Sequence, residues 1–235
     1  MNQGNIYLIP TPISKNRSLK DVLLEEYIDV VINLEYFVTE KAKTARLFLK
    51  ELPLKKSIQE LNIAELNEHT KDEDIDNLLG PVLKGYNLGL LSEAGIPSVA
   101  DPGFRLVSLA QEKELKVIPF LGPSSVIMAL MASGLNGQSF TFNGYLPREK
   151  EMRRRKIKEL ERIALRTNQT QIFMETPYRN QHMFNDLIDV CEGSTRLCIA
   201  MDIMGDDEYI VTKKIEEWEK EETLETKPCL FLINN

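Results

Sequence analysis

Cysteine and histidine are scarce in this sequence of 235 residues. The cysteines, Cys191, Cys198 and Cys229, show no C-x-x-C spacing, and the two histidines, His69 and His182, lie far apart. A zinc site or a disulfide framework needs clustered ligands or paired cysteines. We therefore expect no metal site, and we interpret the cysteines as small buried residues of a protein in a reducing compartment.

Long apolar runs are also lacking. The longest nearly apolar stretch, 126–135, has about half the length that a membrane-spanning helix needs, and it contains Ser133 and Gly134. The residues after Met1 lack the three parts of an export signal, which are a basic segment, a long apolar segment and a cleavage site. The sequence therefore predicts a cytoplasmic protein that does not associate with a membrane.

The usual phosphate-binding and nucleophile motifs do not occur. No G-x-G-x-x-G follows a predicted strand, and no G-x-x-x-x-G-K-[ST] is present. Ser92, Ser124 and Ser125 do not lie in a G-x-S-x-G turn. These absences disfavour dinucleotide enzymes, nucleoside triphosphate hydrolases and serine hydrolases.

Charge is unevenly distributed in a chain whose formal net charge is −7. Residues 148–162 include eight Lys or Arg and four Asp or Glu, whereas residues 206–225 include nine acidic and three basic residues. Ile157, Leu160 and Ala164 recur at helical spacing in the basic segment, which predicts a helix whose charges face outward. Any nucleic-acid contact is expected there, and a solvated helix face is the alternative.

Strands and helices alternate in the first half of the sequence. The apolar patterns predict strands at 6–10, 36–39, 63–67, 88–91 and 115–120, with helices at 18–26, 43–51, 72–84 and 103–112. This alternation is typical of an α/β domain with a mostly parallel sheet and flanking helices.

The second half predicts a mixed sheet with helices. Gly122 and Pro123 interrupt the pattern, so we place the boundary there, with domains at 1–121 and 122–235. The turn at 205–207 predicts a hairpin, which makes this sheet mixed. We expect strands at 140–143, 170–174, 197–202, 208–212 and 229–233, and helices at 126–132, 150–165, 180–190 and 215–222.

The loop 92–103 is rich in turn residues and follows the fourth predicted strand. Ligands of open parallel sheets bind beyond the carboxyl ends of strands, where glycine lets the backbone approach them closely. Similar loops, 10–12 and 122–125, follow the first and fifth strands, so we expect three loops to converge. We therefore expect a small-molecule pocket. S-adenosylmethionine fits such a pocket, because it has no phosphate and the sequence has no phosphate-binding motif. The alternative is a well-packed connection with turn prolines.

The segment Ser92-Glu-Ala-Gly-Ile-Pro-Ser-Val-Ala-Asp-Pro-Gly103 resembles the S-D-A-G-T-P-x-I-S-D-P-G signature of the tetrapyrrole methylase superfamily. It is similar to the branch of small-subunit ribosomal RNA cytidine 2′-O-methyltransferases. Further motifs of that branch occur in order, at Thr11-Pro-Ile13, Asn67-Glu-His69, Gly122-Pro-Ser124, Gly144-Tyr-Leu-Pro-Arg148 and Glu175-Thr-Pro-Tyr-Arg179. The resemblance extends from Ile6 to Ile233.

The resemblance implies a two-domain α/β methyltransferase, usually a homodimer, with S-adenosylmethionine in a cleft between the domains. Ribosomal RNA or the small ribosomal subunit is the expected partner, contacted by Arg148, Lys150, Arg153, Arg154 and Arg155. The expected cofactor contacts are Pro10, Pro12, Ser92, Glu93, Ala94, Gly95, Val99, Ala100, Asp101, Ser124, Ser125, Tyr145, Leu146, Pro147, Ala200 and Met201.

Methylation of a ribose hydroxyl invites a general base. The candidates at strand ends are Glu93, Asp101, His69 and Glu175, and we favour Glu93 and Asp101 as site residues without choosing between them. For any one of them, a structural hydrogen bond or a solvated charge is the alternative.

The sequence departs from the family on the side expected to bind substrate. The segments 14–20, 39–46 and 202–205 differ from the family patterns, and Glu93 stands where the family has aspartate. Two alternatives therefore stay open, a related methylase of a small or tetrapyrrole-like molecule and an RNA-binding relative without turnover.

Overall fold

The computed structural model describes residues 3–235. The chain forms two compact units, one up to residue 124 and one from residue 125. The first unit contains five parallel strands in the order β3-β2-β4-β1-β5, which confirms the predicted parallel sheet. Its strands are β1 (Ile6–Ile9), β2 (Tyr36–Thr39), β3 (Asn62–Glu65), β4 (Leu88–Leu91) and β5 (Val117–Pro119). Its helices are α1 (Glu25–Val31), α2 (Ala42–Leu49), α3 (Asp72–Leu78), α4 (Gly80–Leu83) and α5 (Phe104–Glu112).

Both faces of this sheet are covered by apolar packing. One core cluster includes Val38, Leu88 and Leu90 with residues of α3 and α5, and the other includes Phe37 and Leu91 with residues around α1 and α2. Burial on both faces explains why the strands are nearly continuous apolar runs in the sequence.

Two predicted helices of the first unit have different bounds in the structure. The segment predicted as a helix at 18–26 forms only a 3-10 turn at Leu19–Asp21, because Leu24 is extended and α1 begins after it. The predicted helix at 72–84 is divided into α3 and α4 before Pro81, whose missing N–H interrupts helical hydrogen bonding.

The second unit contains a mixed sheet in the order β6-β7-β10-β8-β9, as predicted. Strands β6 and β7 are parallel, the other neighbours are antiparallel, and β8 and β9 form the predicted hairpin. Its strands are β6 (Phe140–Tyr145), β7 (Thr170–Glu175), β8 (Arg196–Met201), β9 (Tyr209–Lys214) and β10 (Cys229–Asn234), and its helices are α6 (Ser125–Ser133), α7 (Lys150–Thr167) and α8 (Asn180–Val190).

The predicted helix at 215–222 is wrong, since only a 3-10 turn forms at Ile215–Glu217. Trp218 follows it in an extended conformation and is buried, in edge contact with Phe184. Burial of the large indole ring therefore determines the backbone here. No helix within residues 3–235 has the length and apolar character needed to cross a membrane.

Glu161 of α7 holds together the second unit through a buried carboxylate. Its Oε1 accepts hydrogen bonds from the Glu192 amide at 2.6 Å and the Thr195 hydroxyl at 2.7 Å, and its Oε2 accepts one from Lys158 at 2.9 Å. Burial acts to raise the pKa of Glu161, but these hydrogen bonds together lower it below its ordinary value of 4.5. The charged form is therefore the stabilising one.

We expect Glu161→Gln to cost about 2 kcal/mol of unfolding free energy at neutral pH, because charge-assisted hydrogen bonds to a buried group are lost. Since folding lowers this pKa, the carboxylate's contribution is present above about pH 4.5 and is lost as the pH falls through the folded value. Urea unfolding across this range should show the gap to the parent protein closing in acid. The exposed Glu159→Gln is the control, with less than about 0.5 kcal/mol expected, and an equal cost in both variants would contradict the prediction.

Candidate active site

Three loops meet at the carboxyl edge of the first sheet, where β4, β1 and β5 are neighbours. The backbone of Thr11 pairs with that of Gly95 in both directions, with N···O distances of 2.9 and 3.1 Å. A Cβ atom on Gly122 would lie 2.1 Å from Cβ of Pro10, and one on Gly95 would lie 3.2 Å from the carbonyl oxygen of Pro123. The predicted convergence of the three loops is confirmed.

Two buried hydroxyl groups fasten these loops to each other. The Ser92 hydroxyl donates a hydrogen bond to the Gly95 carbonyl at 2.6 Å, and it lies 3.2 Å from the Thr11 hydroxyl. Ser92 and Thr11 are 2% and 0% exposed. The Ser92 side chain therefore supports the loop, which leaves its backbone as the part that can face a ligand.

The second half of the signature loop, 98–103, has strained backbone. Ser98 and Ala100 have φ angles of 68° and 56°, which few residues other than glycine adopt. Asp101 Oδ1 accepts hydrogen bonds from the Gly103 amide at 2.7 Å and from the Ser98 amide at 3.3 Å. Burial raises the pKa of Asp101, while these two hydrogen bonds act to lower it. Val99 and Ala100 are held at the surface by this arrangement.

Glu93 lies beside the end of β2 and is held from helix α2. Its Oε2 accepts a hydrogen bond from the Thr44 hydroxyl at 3.1 Å and lies 3.9 Å from Nζ of Lys41. Its Oε1 is buried and has no hydrogen-bond partner within the described residues. Burial raises the pKa of Glu40, and the nearby charge of Glu93 adds to this effect. We call Glu40, Glu93 and Asp101 the acidic edge.

The two other candidate bases lie in different surroundings. The His69 side chain is 86% exposed in the turn after β3. Glu175 ends β7 in the second unit, where it is buried and lies 2.9 Å from Nη2 of Arg179. Its Oε1 also accepts hydrogen bonds from the amide and hydroxyl of Thr176. The charge of Glu175 is therefore paired with that of Arg179, although its Oε2 has no hydrogen-bond partner within the described residues.

The expected cofactor residues of the second unit lie at strand ends and at the start of a helix. Leu146 is buried just after β6, and Tyr145 beside it has an exposed ring. Ala200 and Met201 are buried at the end of β8, and Ser125 begins α6. Contact with a cofactor stays a prediction for Ser125, Tyr145, Leu146, Pro147, Ala200 and Met201. The same holds for Pro10, Pro12, Ala94, Ser124 and the other loop residues of the first unit.

The expectation that every charge of the basic helix faces outward is wrong for the buried Glu161 and for Arg153. Arg153 is 5% exposed, and its Nε donates a hydrogen bond to Asp186 of α8 at 2.8 Å. Arg154 is partly exposed and lies 3.4 Å from Asp189. The sequence alone could not reveal this, because both carboxylates lie more than thirty residues further along the chain. Arg148, Lys150 and Arg155 are exposed.

Gly122, Thr11 and Thr44 are not among the predicted contact residues, although the structure brings all three to the candidate site. Gly122 and Thr11 lie in the loops expected to converge with 92–103, so the sequence does indicate their position. Thr44 had no such signal, since its contact with Glu93 depends on the unpredicted adjacency of β2 and β4.

Comparison with known proteins gives consistent relatives. The chain is 29% identical over 237 residues to ribosomal RNA small subunit methyltransferase I of Halalkalibacterium halodurans, covering 100% of this chain and 77% of the relative. It is 30% identical over 233 residues to the protein of the same name from Haemophilus influenzae, covering 98% and 78%. The crystal structure of the methyltransferase CobJ matches with a TM-score of 0.62 over 100% of this chain and 95% of that chain, at 14% identity, which supports the fold. No profile of a protein family matches the chain.

We expect Arg153→Ala to lower the unfolding free energy by about 3–5 kcal/mol, because it leaves the buried carboxylate of Asp186 without its partner. Arg155→Ala, on the same helix but exposed, should change it by less than about 0.5 kcal/mol. Denaturant unfolding of both variants makes the comparison. Equal stabilities would contradict a structural role for Arg153.

Proposed function

The chain belongs to the ribosomal RNA small subunit methyltransferase I family, and from this premise we propose that it transfers a methyl group from S-adenosylmethionine to the ribose 2′-oxygen of a cytidine in small-subunit ribosomal RNA. The observation that carries the proposal is the meeting of three loops at neighbouring strand ends of the first sheet. Small molecules commonly bind at this edge of α/β sheets.

The residues at this edge fit S-adenosylmethionine better than a phosphorylated nucleotide. Three carboxylates there, those of the acidic edge, favour a cationic ligand and disfavour phosphate. Buried polar atoms normally have hydrogen-bond partners, yet Glu93 Oε1 and Ser98 Oγ have none in the described chain. A ligand with hydroxyl and amino donors would satisfy them. When bound, this cofactor supplies a methyl group on a positively charged sulfur.

Glu93 and Asp101 have different roles in the proposed reaction. Asp101 holds the signature loop through two backbone amides, so we assign it to positioning. Glu93 has one oxygen anchored by Thr44 and one without a partner, which suits it to accept a hydrogen bond or a proton from a hydroxyl group. Holding the acceptor oxygen in line with the methyl group would supply much of the rate.

We place the RNA phosphates against the exposed basic residues that follow β6. Arg148, Lys150 and Arg155 are exposed and belong to no ion pair within residues 3–235, whereas Arg153 is removed from this set by its burial. Homodimerisation stays a prediction from the family resemblance, and light scattering of the purified protein tests it. A cytoplasmic location stays a prediction from the sequence.

We expect Gly122→Ala to weaken binding of S-adenosylmethionine at least tenfold, because the new methyl group overlaps Pro10 and forces two of the converging loops apart. Gly80→Ala is the matched control, since a Cβ there meets no atom within 4 Å apart from its chain neighbours and the backbone of its own helix. Calorimetric titration measures both affinities, and circular dichroism verifies that both variants are folded. A folded Gly122→Ala protein with parent-like affinity would remove this edge from the cofactor site.

The methyl acceptor is tested with radiolabelled S-adenosylmethionine on immature small ribosomal subunits, deproteinised ribosomal RNA and small-molecule extracts. We expect label in small-subunit RNA, recovered as 2′-O-methylcytidine after nucleoside digestion. Glu93→Gln should lower the rate by about 10²–10⁴, and the exposed Glu25→Gln should not change it. Label only in small molecules would favour the alternative methylase, and cofactor binding without transfer to any acceptor would contradict an active enzyme.

A further inference from the structure

Two exposed tyrosines lie at the same edge of the second sheet. Tyr145 ends β6, and Tyr178 lies three residues after the end of β7. Their exposed fractions are 62% and 69%. Because β6 and β7 are parallel neighbours, with Tyr145 opposite Met174, both rings belong to the carboxyl edge of this strand pair. Large aromatic side chains normally contribute to a core or an interface, so we expect two exposed rings at one edge to contact a binding partner.

The turn that carries Tyr178 is held rigidly. Arg179 forms an ion pair with the buried Glu175 at 2.9 Å, and Pro177 begins a 3-10 turn at Pro177–Arg179. The side-chain amide of Asn180 donates hydrogen bonds to the backbone carbonyl oxygens of Glu225 and Lys227, at 3.1 and 2.7 Å. The fold therefore fixes the backbone of Tyr178 while leaving its ring at the surface.

The residues around these rings favour a polyanion that carries planar aromatic bases. Arg148 and Lys150 follow Tyr145 directly and are exposed. Aromatic rings beside free cationic groups are the typical composition of a surface for single-stranded nucleic acid.

We propose that the rings of Tyr145 and Tyr178 stack on unpaired bases of single-stranded RNA whose phosphates lie against Arg148, Lys150 and Arg155. The inference rests on the proposed function and adds to it how the acceptor strand is held. It assigns the ring of Tyr145 to RNA, while its backbone stays among the expected cofactor contacts. Stacking requires bases that are not paired, so single-stranded RNA is preferred over a duplex.

The test is fluorescence anisotropy with a labelled 12-nucleotide oligocytidylate, alone and annealed to its complement. We expect Tyr178→Ala to weaken binding of the single strand about tenfold. Tyr178→Phe should retain the parent affinity, because stacking uses the ring, and Tyr178→Leu should not. Tyr86→Ala is the matched control, since Tyr86 is a half-exposed tyrosine of the first unit and we expect no effect there.

Calorimetric titration of the same variants with S-adenosylmethionine separates the two proposals. Parent affinity for the cofactor in Tyr178→Ala, with weakened RNA binding, supports the stacking surface. Unchanged oligonucleotide affinity in Tyr178→Ala, equal loss in the phenylalanine variant, or no binding of single-stranded RNA by the parent protein would overturn it. A parent protein that binds RNA through Tyr178 yet methylates no RNA would refute the proposed function alone.

Discussion

The two-way backbone pairing of Thr11 with Gly95 is the contact on which the first unit's edge depends. Strands β1 and β4 are parallel, so their carboxyl ends lie level, and the loops after them would otherwise leave backbone groups without partners. The Ser92 hydroxyl completes the connection from a buried position. Gly122 then lets the third loop approach without a side chain in the way. These contacts fix the conformation of the loops in the absence of a ligand, so this edge of the sheet is preorganised.

The two units differ in the charge that they offer to a ligand. In the first, Glu40, Glu93 and Asp101 lie near one another. Burial raises the pKa of Glu40, and the charges of Glu93 and Asp101 add to this effect. In the second, exposed basic residues follow β6 beside an exposed aromatic ring. A cationic cofactor and a polyanionic acceptor need opposite fields. One chain with a negative net charge can therefore serve both, because the charges are sorted along the sequence.

Element type was predictable where short-range pattern decides it. Strand bounds such as 36–39 and 88–91 agree with the structure because buried parallel strands are short apolar runs between turn residues. The helix predicted at 18–26 failed because a 3-10 turn and the extended Leu24 replaced all but its last two residues. Contacts that depend on strand order or distant partners, such as Thr44 with Glu93 or Arg153 with Asp186, leave no local trace. The sequence therefore revealed the loops of the site better than the side chains that support them.

The support of Glu93 also explains how the altered segment 39–46 is compatible with an intact site. The family resemblance places aspartate at this position, and glutamate adds one methylene group, which moves the carboxylate further from its own backbone. Thr44 and Lys41, both within the altered segment, are the side chains that meet the carboxylate. Without the Thr44 hydroxyl, both carboxylate oxygens of a largely buried group would lack a hydrogen-bond donor, at a cost of about 1–3 kcal/mol. The longer side chain and the changed helix are thus parts of one arrangement, so these departures from the family pattern do not by themselves argue against turnover.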